Sequence, residues 1–174
     1  MSAAPWSGAL AIGVGWAALD ARLGKNKAHA HLAHQVILGL DGAVVVTTNS
    51  EIIAPKGKAI HIPAGQTHSI GPEGRLTRSI YIDPRFSGIR NDQQCNQPAC
   101  LSDDLSAALE HISDINQARD WAKRFAGRLP GSAIDSRLQK ALGNVRALAN
   151  PAALARELAL SPTRLREIVK ADFG

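Results

Sequence analysis

From Ala9 to Ile82 the chain breaks into short apolar runs, each closed by a turn rich in proline or glycine. Val36 to Leu40, Ala43 to Thr48, Ile52-Ile53, Ala59 to Ile62 and Leu76 to Ile82 are the runs. Pro55-Lys56-Gly57, Pro63-Ala64-Gly65, Gly71-Pro72-Glu73-Gly74 and Pro84 are the breaks. Runs of about five residues are too short for amphipathic helices, and many of them at this spacing predict an all-β sandwich or barrel. Asp41-Gly42 predicts a type I′ hairpin joining Val36–Leu40 to Ala43–Thr48, because both central residues of that turn take positive φ. Ala9 to Leu19 carries Gly13 and Gly15 and has no basic residue ahead of it. It is read as a first strand or two, not as a signal peptide or membrane span.

After Asn96-Gln97-Pro98 the period changes. Leu105, Ala108, Leu109 and Ile112 fall at i, i+3, i+4 and i+7, with Asp103 and Asp104 placed to favour a helix N-terminus. Ile115, Ala118, Ala122 and Phe125 continue the helical spacing, and Gly127 and Pro130-Gly131 end it. Ile134, Leu138, Ala141, Leu142, Val145 and Leu148 predict a third amphipathic helix. Asn150-Pro151 and Ser161-Pro162 each pair a capping residue with a proline suited to the first helical position. They predict short helices over about 151–158 and 162–172. The fold class expected is therefore mainly β plus α: a barrel over 1–95, helices over 96–149 that link or dimerise, and a helix-turn-helix over 150–174.

Composition narrows the function without choosing it. The 174 residues are 45% hydrophobic and 20% charged, as in a globular protein. Two cysteines, Cys95 and Cys100, exclude a disulfide scaffold and a four-cysteine zinc site, and they suit a reducing, cytoplasmic setting. The net charge of +5 permits a nucleic-acid partner. It is divided along the chain: 91–128 holds four basic and six acidic side chains, and 129–174 holds seven and four. No nucleophile elbow or phosphate-binding loop occurs.

Histidines supply the chemistry. His29 and His31, two apart, share a face if that stretch is a strand; Gln35 keeps their parity and His34 takes the opposite side. His68 follows the turn Pro63-Ala64-Gly65. If the face bearing 29, 31 and 35 also meets His68, three imidazoles and one amide oxygen converge as ligands for zinc, nickel, iron or manganese. The alternative is a polar lining for a dry or effector-filled pocket. A neutral amide binds more weakly than a carboxylate and cannot serve as a general base. His61 is read as a face-alternating strand residue, and His111 as an exposed helix residue. Cys95 and Cys100 are read as two loop thiols.

These residues carry a family resemblance. Gly24…His29-Ala30-His31, three residues, Gln35, six residues and Gly42 resembles the first cupin motif. Gly57, five residues, Pro63-Ala64-Gly65, two residues and His68 resembles the second. The resemblance implies a small double-stranded β-barrel with metal or ligand in its mouth. Departures are a glycine one residue too close to His29, Gln35 in place of the usual glutamate, and Pro72 where asparagine is common.

Leu154-Ala155…Leu158-Ala159…Leu160-Ser161-Pro162…Arg164-Leu165…Ile168-Val169-Lys170…Phe173-Gly174 has the pattern of two helices around a tight turn. Leu154, Ala155, Leu158, Leu165, Ile168 and Val169 form the shared core, which leaves Thr163, Arg166 and Glu167 outward. Following a barrel, this resembles the first helix-turn-helix of AraC-type transcription regulators. In that reading Arg156, Arg164 and Lys170 contact phosphates. Ser161 caps the recognition helix, and Thr163, Arg166 and Glu167 approach bases. The family continues through a second helix-turn-helix, so the resemblance also implies roughly 60–90 residues beyond Gly174.

The resemblance thus implies a cytoplasmic, ligand-responsive DNA-binding protein that senses a small effector or a metal, with homodimerisation common and no membrane partner. A metal-dependent cupin enzyme with a helical cap, a dioxygenase or isomerase, is the alternative. A module that sequesters a metal or effector is a third.

Overall fold

A computed structural model describes residues 8–13, 15–86, 89, 97–127, 155–156, 161 and 163. Among the described residues the architecture is mainly β, with two complete α-helices. The strands are β1 (Gly8–Gly13), β2 (Trp16–Arg22), β3 (His34–Gly39), β4 (Val44–Thr47), β5 (Glu51–Ala54), β6 (Ala59–Ile62), β7 (Ser69–Gly71), β8 (Leu76–Ile82) and β9 (Ala99–Cys100). They form a six-stranded sheet of order β1-β2-β8-β3-β6-β9 and a three-stranded sheet of order β5-β4-β7. The pairings of β8 with β2 and β3, of β6 with β3 and β9, and of β4 with β5 and β7 are all antiparallel.

The apolar runs are continuous in the middle of the large sheet because both of its faces are covered there. Ile37, Ile60 and Ile62 face inward and pack with Val44, Val46, Ala54 and Ile70 of the small sheet. Their neighbours Val36, Leu38, Ala59, Ile80 and Ile82 face the other way and pack against the helices. Those helices are α1 (Asp103–Glu110) and α2 (Ile115–Ala126), which supply Leu109, Ala118, Trp121, Ala122 and Ala126. Leu109 is wholly buried, so truncating it to alanine is expected to cost about 2–5 kcal/mol.

The helix boundaries follow from local chemistry. Ser102 caps α1 by accepting from Leu105 N, Asp103 and Asp104 sit in its first turn, and Gly127 at φ +68° stands just past α2. Polar ties fix α1 to the sheet and α2 to α1. Ala59 N donates to Ser106 Oγ at 3.1 Å, and Trp121 Nε1 donates to Leu105 O at 2.9 Å. Arg78 of β8 donates through Nη1 to the carbonyls of Leu109 and Glu110 at the end of α1.

Two expectations are corrected. Asp41-Gly42 does not make a type I′ hairpin: β3 pairs with β6 and β8, β4 pairs with β5 and β7, and Gly42 is not among the positive-φ glycines. The segment instead carries the chain from one sheet to the other. Asp41 is held there by Arg75 Nη1, Leu76 N and Arg22 Nη1; desolvation pushes its carboxyl pKa up, and these bonds together with the Arg75 charge outweigh it and hold the carboxyl below the ordinary carboxylate range. Second, His29 to His31 is not a strand. His29 makes an isolated bridge with His68, and β3 begins at His34.

Residues 15–129 belong to one compact unit and 130–174 to another. In the second, Ala155, Arg156 and Thr163 are helical, and Arg156, Ser161 and Thr163 are exposed. Arg164, Arg166, Glu167 and Lys170 lie outside the described residues, as do Cys95 and the helix expected over 134–148. Among the described residues no helix is long and apolar enough to cross a membrane.

Candidate metal centre

Backbone hydrogen bonds bring the histidine segments together. His29 N donates to His68 O and His68 N to His29 O, both at 2.9 Å. Gly65, at φ +78° in the Pro63-Ala64-Gly65 turn, donates its N–H to His31 O at 2.8 Å. A side chain there would be strained, so the glycine is what lets the turn close on His31. Gln35 reaches the same place from β3, on the inward face with Ile37.

The result is the convergence expected. One ring nitrogen from each of His29, His31 and His68 lies within 4.8 Å of the others, and the three rings sit 4.6–5.8 Å apart between centroids. His29 is exposed, His31 half-buried and His68 buried, so the cluster spans the wall from solvent to interior.

The tautomers follow from the partners. Nδ1 of His29 lies 2.9 Å from Lys27 O, Nδ1 of His31 2.8 Å from Ala33 O, and Nδ1 of His68 2.8 Å from Gln66 O. A carbonyl can only accept, so each Nδ1 is assigned the proton and each Nε2 is left as a lone pair. The same carbonyls fix the ring orientations, as ligating imidazoles require.

Gln35 Oε1 lies 3.0 Å from His31 Nε2 and 3.3 Å from His68 Nε2, while its Nε2 donates to Ser79 Oγ and Tyr81 Oη, each at 3.2 Å. Lone pairs therefore face an amide oxygen with no proton between them. A cation or protonated imidazoles would relieve this, or a rotated amide. Protonation is opposed at His68: burial lowers its pKa, and the neighbouring His29 and His31 lower it further, against the favourable bond to Gln66 O. The donors thus fit a divalent transition metal, held by three imidazole nitrogens and one amide oxygen. All four are neutral, so a bound dication keeps its full charge and draws an anion.

Beside the cluster lies a small cavity of about 40 Å³, whose wall includes His29, Gln35, Asn26, Ser79 and Tyr81. Tyr81 stands edge-on to His31, 5.4 Å between ring centroids. Burial pushes its phenol pKa up, partly offset by a hydrogen bond with Ser79. The motif reading missed Tyr81, Ser79 and Asn26. Tyr81 and Ser79 alternate along β8 on the same inward parity as Thr77, opposite Ile80 and Ile82, so the alternation alone could have found them.

His34 takes the opposite face of β3, as its parity requires. There it meets His61, with His61 Nε2 3.1 Å from His34 Nδ1 and both rings buried. His61 also stands edge-on to Phe125 of α2. His111 caps the end of α1 and is exposed, and Cys100 is an exposed free thiol.

No protein-family model and no curated protein sequence matches the chain. Solved structures similar to it include the AraC-like transcriptional activator CuxR, at 12% identity over 92% of this chain and 72% of that one, with a TM-score of 0.49. A cupin-2 domain protein from Shewanella frigidimarina is similar at 17% identity, over 45% of this chain and 80% of its own, with a TM-score of 0.39. A cupin superfamily protein from Desulfitobacterium hafniense is similar at 16% identity, over 48% and 82%, with a TM-score of 0.39.

Proposed function

We propose that the chain is the metal-bearing sensory part of an AraC-type transcription regulator that works in the cytoplasm. In this reading residues 1–95 sense, 96–149 link and dimerise, and 150–174 carry the first helix-turn-helix. The observation that carries the sensing role is the set of three imidazoles with Nδ1 tied to carbonyls, of which His31 and His68 turn Nε2 toward one amide oxygen. The amide favours binding over turnover, because Gln35 cannot take a proton from a substrate as a carboxylate would.

A metal bound there supplies a Lewis-acidic centre that attracts an oxygen-donor effector. Occupancy changes DNA affinity only as far as it favours one conformational state over another. Arg156, Arg164 and Lys170 are assigned to phosphates, and Thr163, Arg166 and Glu167 to base edges, with Ser161 as the cap. Exposure of Arg156 and Thr163 supports that assignment.

Fluorescence anisotropy on the DNA upstream of the protein's own gene tests this, using metal-free protein, zinc-loaded protein and His31→Ala. The expected result is salt-dependent binding that zinc shifts about fivefold or more in the parent and not in the variant. Identical affinity in all three samples, or no binding above random DNA, overturns the reading.

A further inference from the structure

The small sheet has two unlike faces. Val44, Val46, Ile52, Ala54 and Ile70 point inward and pack with the large sheet. The alternate residues of β4 and β5 point outward and stand opposite one another, Val45 with Ile53 and Thr47 with Glu51. Ile53 is 63% exposed, an isoleucine left in solvent at mid-strand. On the β7 side of Val45 the face is hollow, a cavity of about 400 Å³ whose wall includes Ala43, Val45, Pro72 and Arg75. Charge is divided between the two ends. At the Ala43 end, Arg22 and Arg75 share the single carboxylate of Asp41, each at 3.1 Å, and Glu73 of the same turn pairs with neither. At the Thr47 end, Glu51 is exposed and makes no ion pair among the described residues. The face thus runs from a net positive end, over an apolar middle, to a negative end. One exposed isoleucine would need no explanation; its place between opposite charges makes the face self-complementary.

We infer that two copies of the chain associate through this outer face of the small sheet. A two-fold axis that exchanges the two ends sets Arg75 of each copy against Glu51 of the other. Val45 and Ile53, which lie between those ends, then meet their own counterparts near the axis. Burial of the apolar centre drives the association, and the two symmetric ion pairs fix its register. Strands of four, four and three residues make a small patch, so the dimer is expected to dissociate at about 10 µM. This contact is separate from the dimerisation assigned to 96–149 and depends on neither the metal nor the DNA reading.

Sedimentation equilibrium of the full chain tests this with two charge reversals, Glu51→Arg and Arg75→Glu. Alone, each variant sets like charges together at both symmetric contacts and is expected to self-associate at least tenfold more weakly than the parent. Mixed in equal amounts they restore two opposite-charge pairs, and the mixture is expected to regain the parent's affinity as a heterodimer. A dimer held at any other surface is indifferent to both reversals and gains nothing on mixing. Ile53→Asp, at an exposed position away from the Asp41 network, is expected to weaken association about 100-fold, because the loss is counted twice across the axis. A parent that is monomeric at about 100 µM overturns the proposal. So does a mixture no tighter than its separate components, or an Ile53→Asp protein that associates like the parent. If Arg75→Glu does not fold, Glu51→Arg and Ile53→Asp decide the matter: parent-like association in either overturns the assignment.

Discussion

Nε2 of His61 lies 3.1 Å from Nδ1 of His34 across the β3–β6 pair, on the face opposite Gln35. The N–H of Ala64 also donates to His34 Nδ1, at 3.3 Å, so that nitrogen is the acceptor and His61 the donor. Both rings are neutral in this arrangement, and His34 Nε2, which then carries the proton, is buried without a partner. Burial lowers both pKa values, and at His61 the nearby His34 adds to it, bringing His61 down to about 4.

Acid sensitivity follows, and its sign is fixed. Between about 4 and 6.5 the unfolded chain holds a proton on His61 that the folded chain refuses. Stability is therefore complete above about pH 6.5 and declines as pH falls toward 4, by roughly 3 kcal/mol in all from this one ring. Urea denaturation across that range should show the slope, and His61→Phe should remove about one proton from it. A variant with the parent's slope would place the titration elsewhere.

The metal centre makes a graded prediction. His31→Ala or His68→Ala removes one of three imidazoles and is expected to weaken zinc binding roughly 100-fold. Gln35→Glu replaces a neutral oxygen by a charged one and should tighten it about tenfold. Stripping the metal with a chelator should lower the stability of the parent by about 2.7 kcal/mol where free zinc stood at 100 times its dissociation constant. Competition with a chromophoric chelator reads the affinities. An unaltered affinity in His68→Ala, or a weaker one in Gln35→Glu, would refute the donor set.

Why the histidines were legible and their neighbours were not has a physical basis. The strands at 59–62 and 76–82 match the apolar runs residue for residue because their limits are set by adjacent prolines and glycines. The convergence of His29, His31 and His68 was also readable, yet for a reason the sequence does not show. It is imposed by the His29–His68 bridge and the Gly65–His31 hydrogen bond, not by a strand at 29–31. The His34–His61 pair is non-local: each residue alternates correctly by itself, and only the β3–β6 register makes them partners. Asp41-Gly42 misled because a turn dipeptide fixes a local bend, while the sheet that the next strand joins is decided by packing.

Arg78 ties β2 and α1 to β8 and is expected to be sensitive to substitution. Its Nε and Nη2 donate to Asp20 Oδ1 and Oδ2 at 2.8 and 2.7 Å, and its side chain is only 12% exposed. Nη1 meanwhile satisfies two carbonyls at the end of α1. A lysine ammonium cannot span both sites, so Arg78→Lys should cost about 2 kcal/mol, a figure kept low because Asp20 remains partly solvated. Asp20→Asn, which leaves the α1 contacts intact, should cost less. Equal losses in urea denaturation would mean that the helix contacts add nothing.

Gly39 and Gly42 test the crossover between the sheets. A Cβ on Gly39 would run into the Gly42 carbonyl oxygen and come within 2.9 Å of Val44 Cγ2, so backbone must move. A Cβ on Gly42 meets only the guanidinium end of Arg75, which can swing aside and release its 3.1 Å contact with Asp41. Gly39→Ala is therefore expected to destabilise by about 3 kcal/mol, at the upper end of overpacking costs. Gly42→Ala should lose about 1 kcal/mol or less, the worth of an exposed ion pair. A type I′ hairpin would have given the reverse emphasis, because there Gly42 would need positive φ and its substitution would carry the strain. Thermal denaturation of the two variants side by side separates the cases by their order alone.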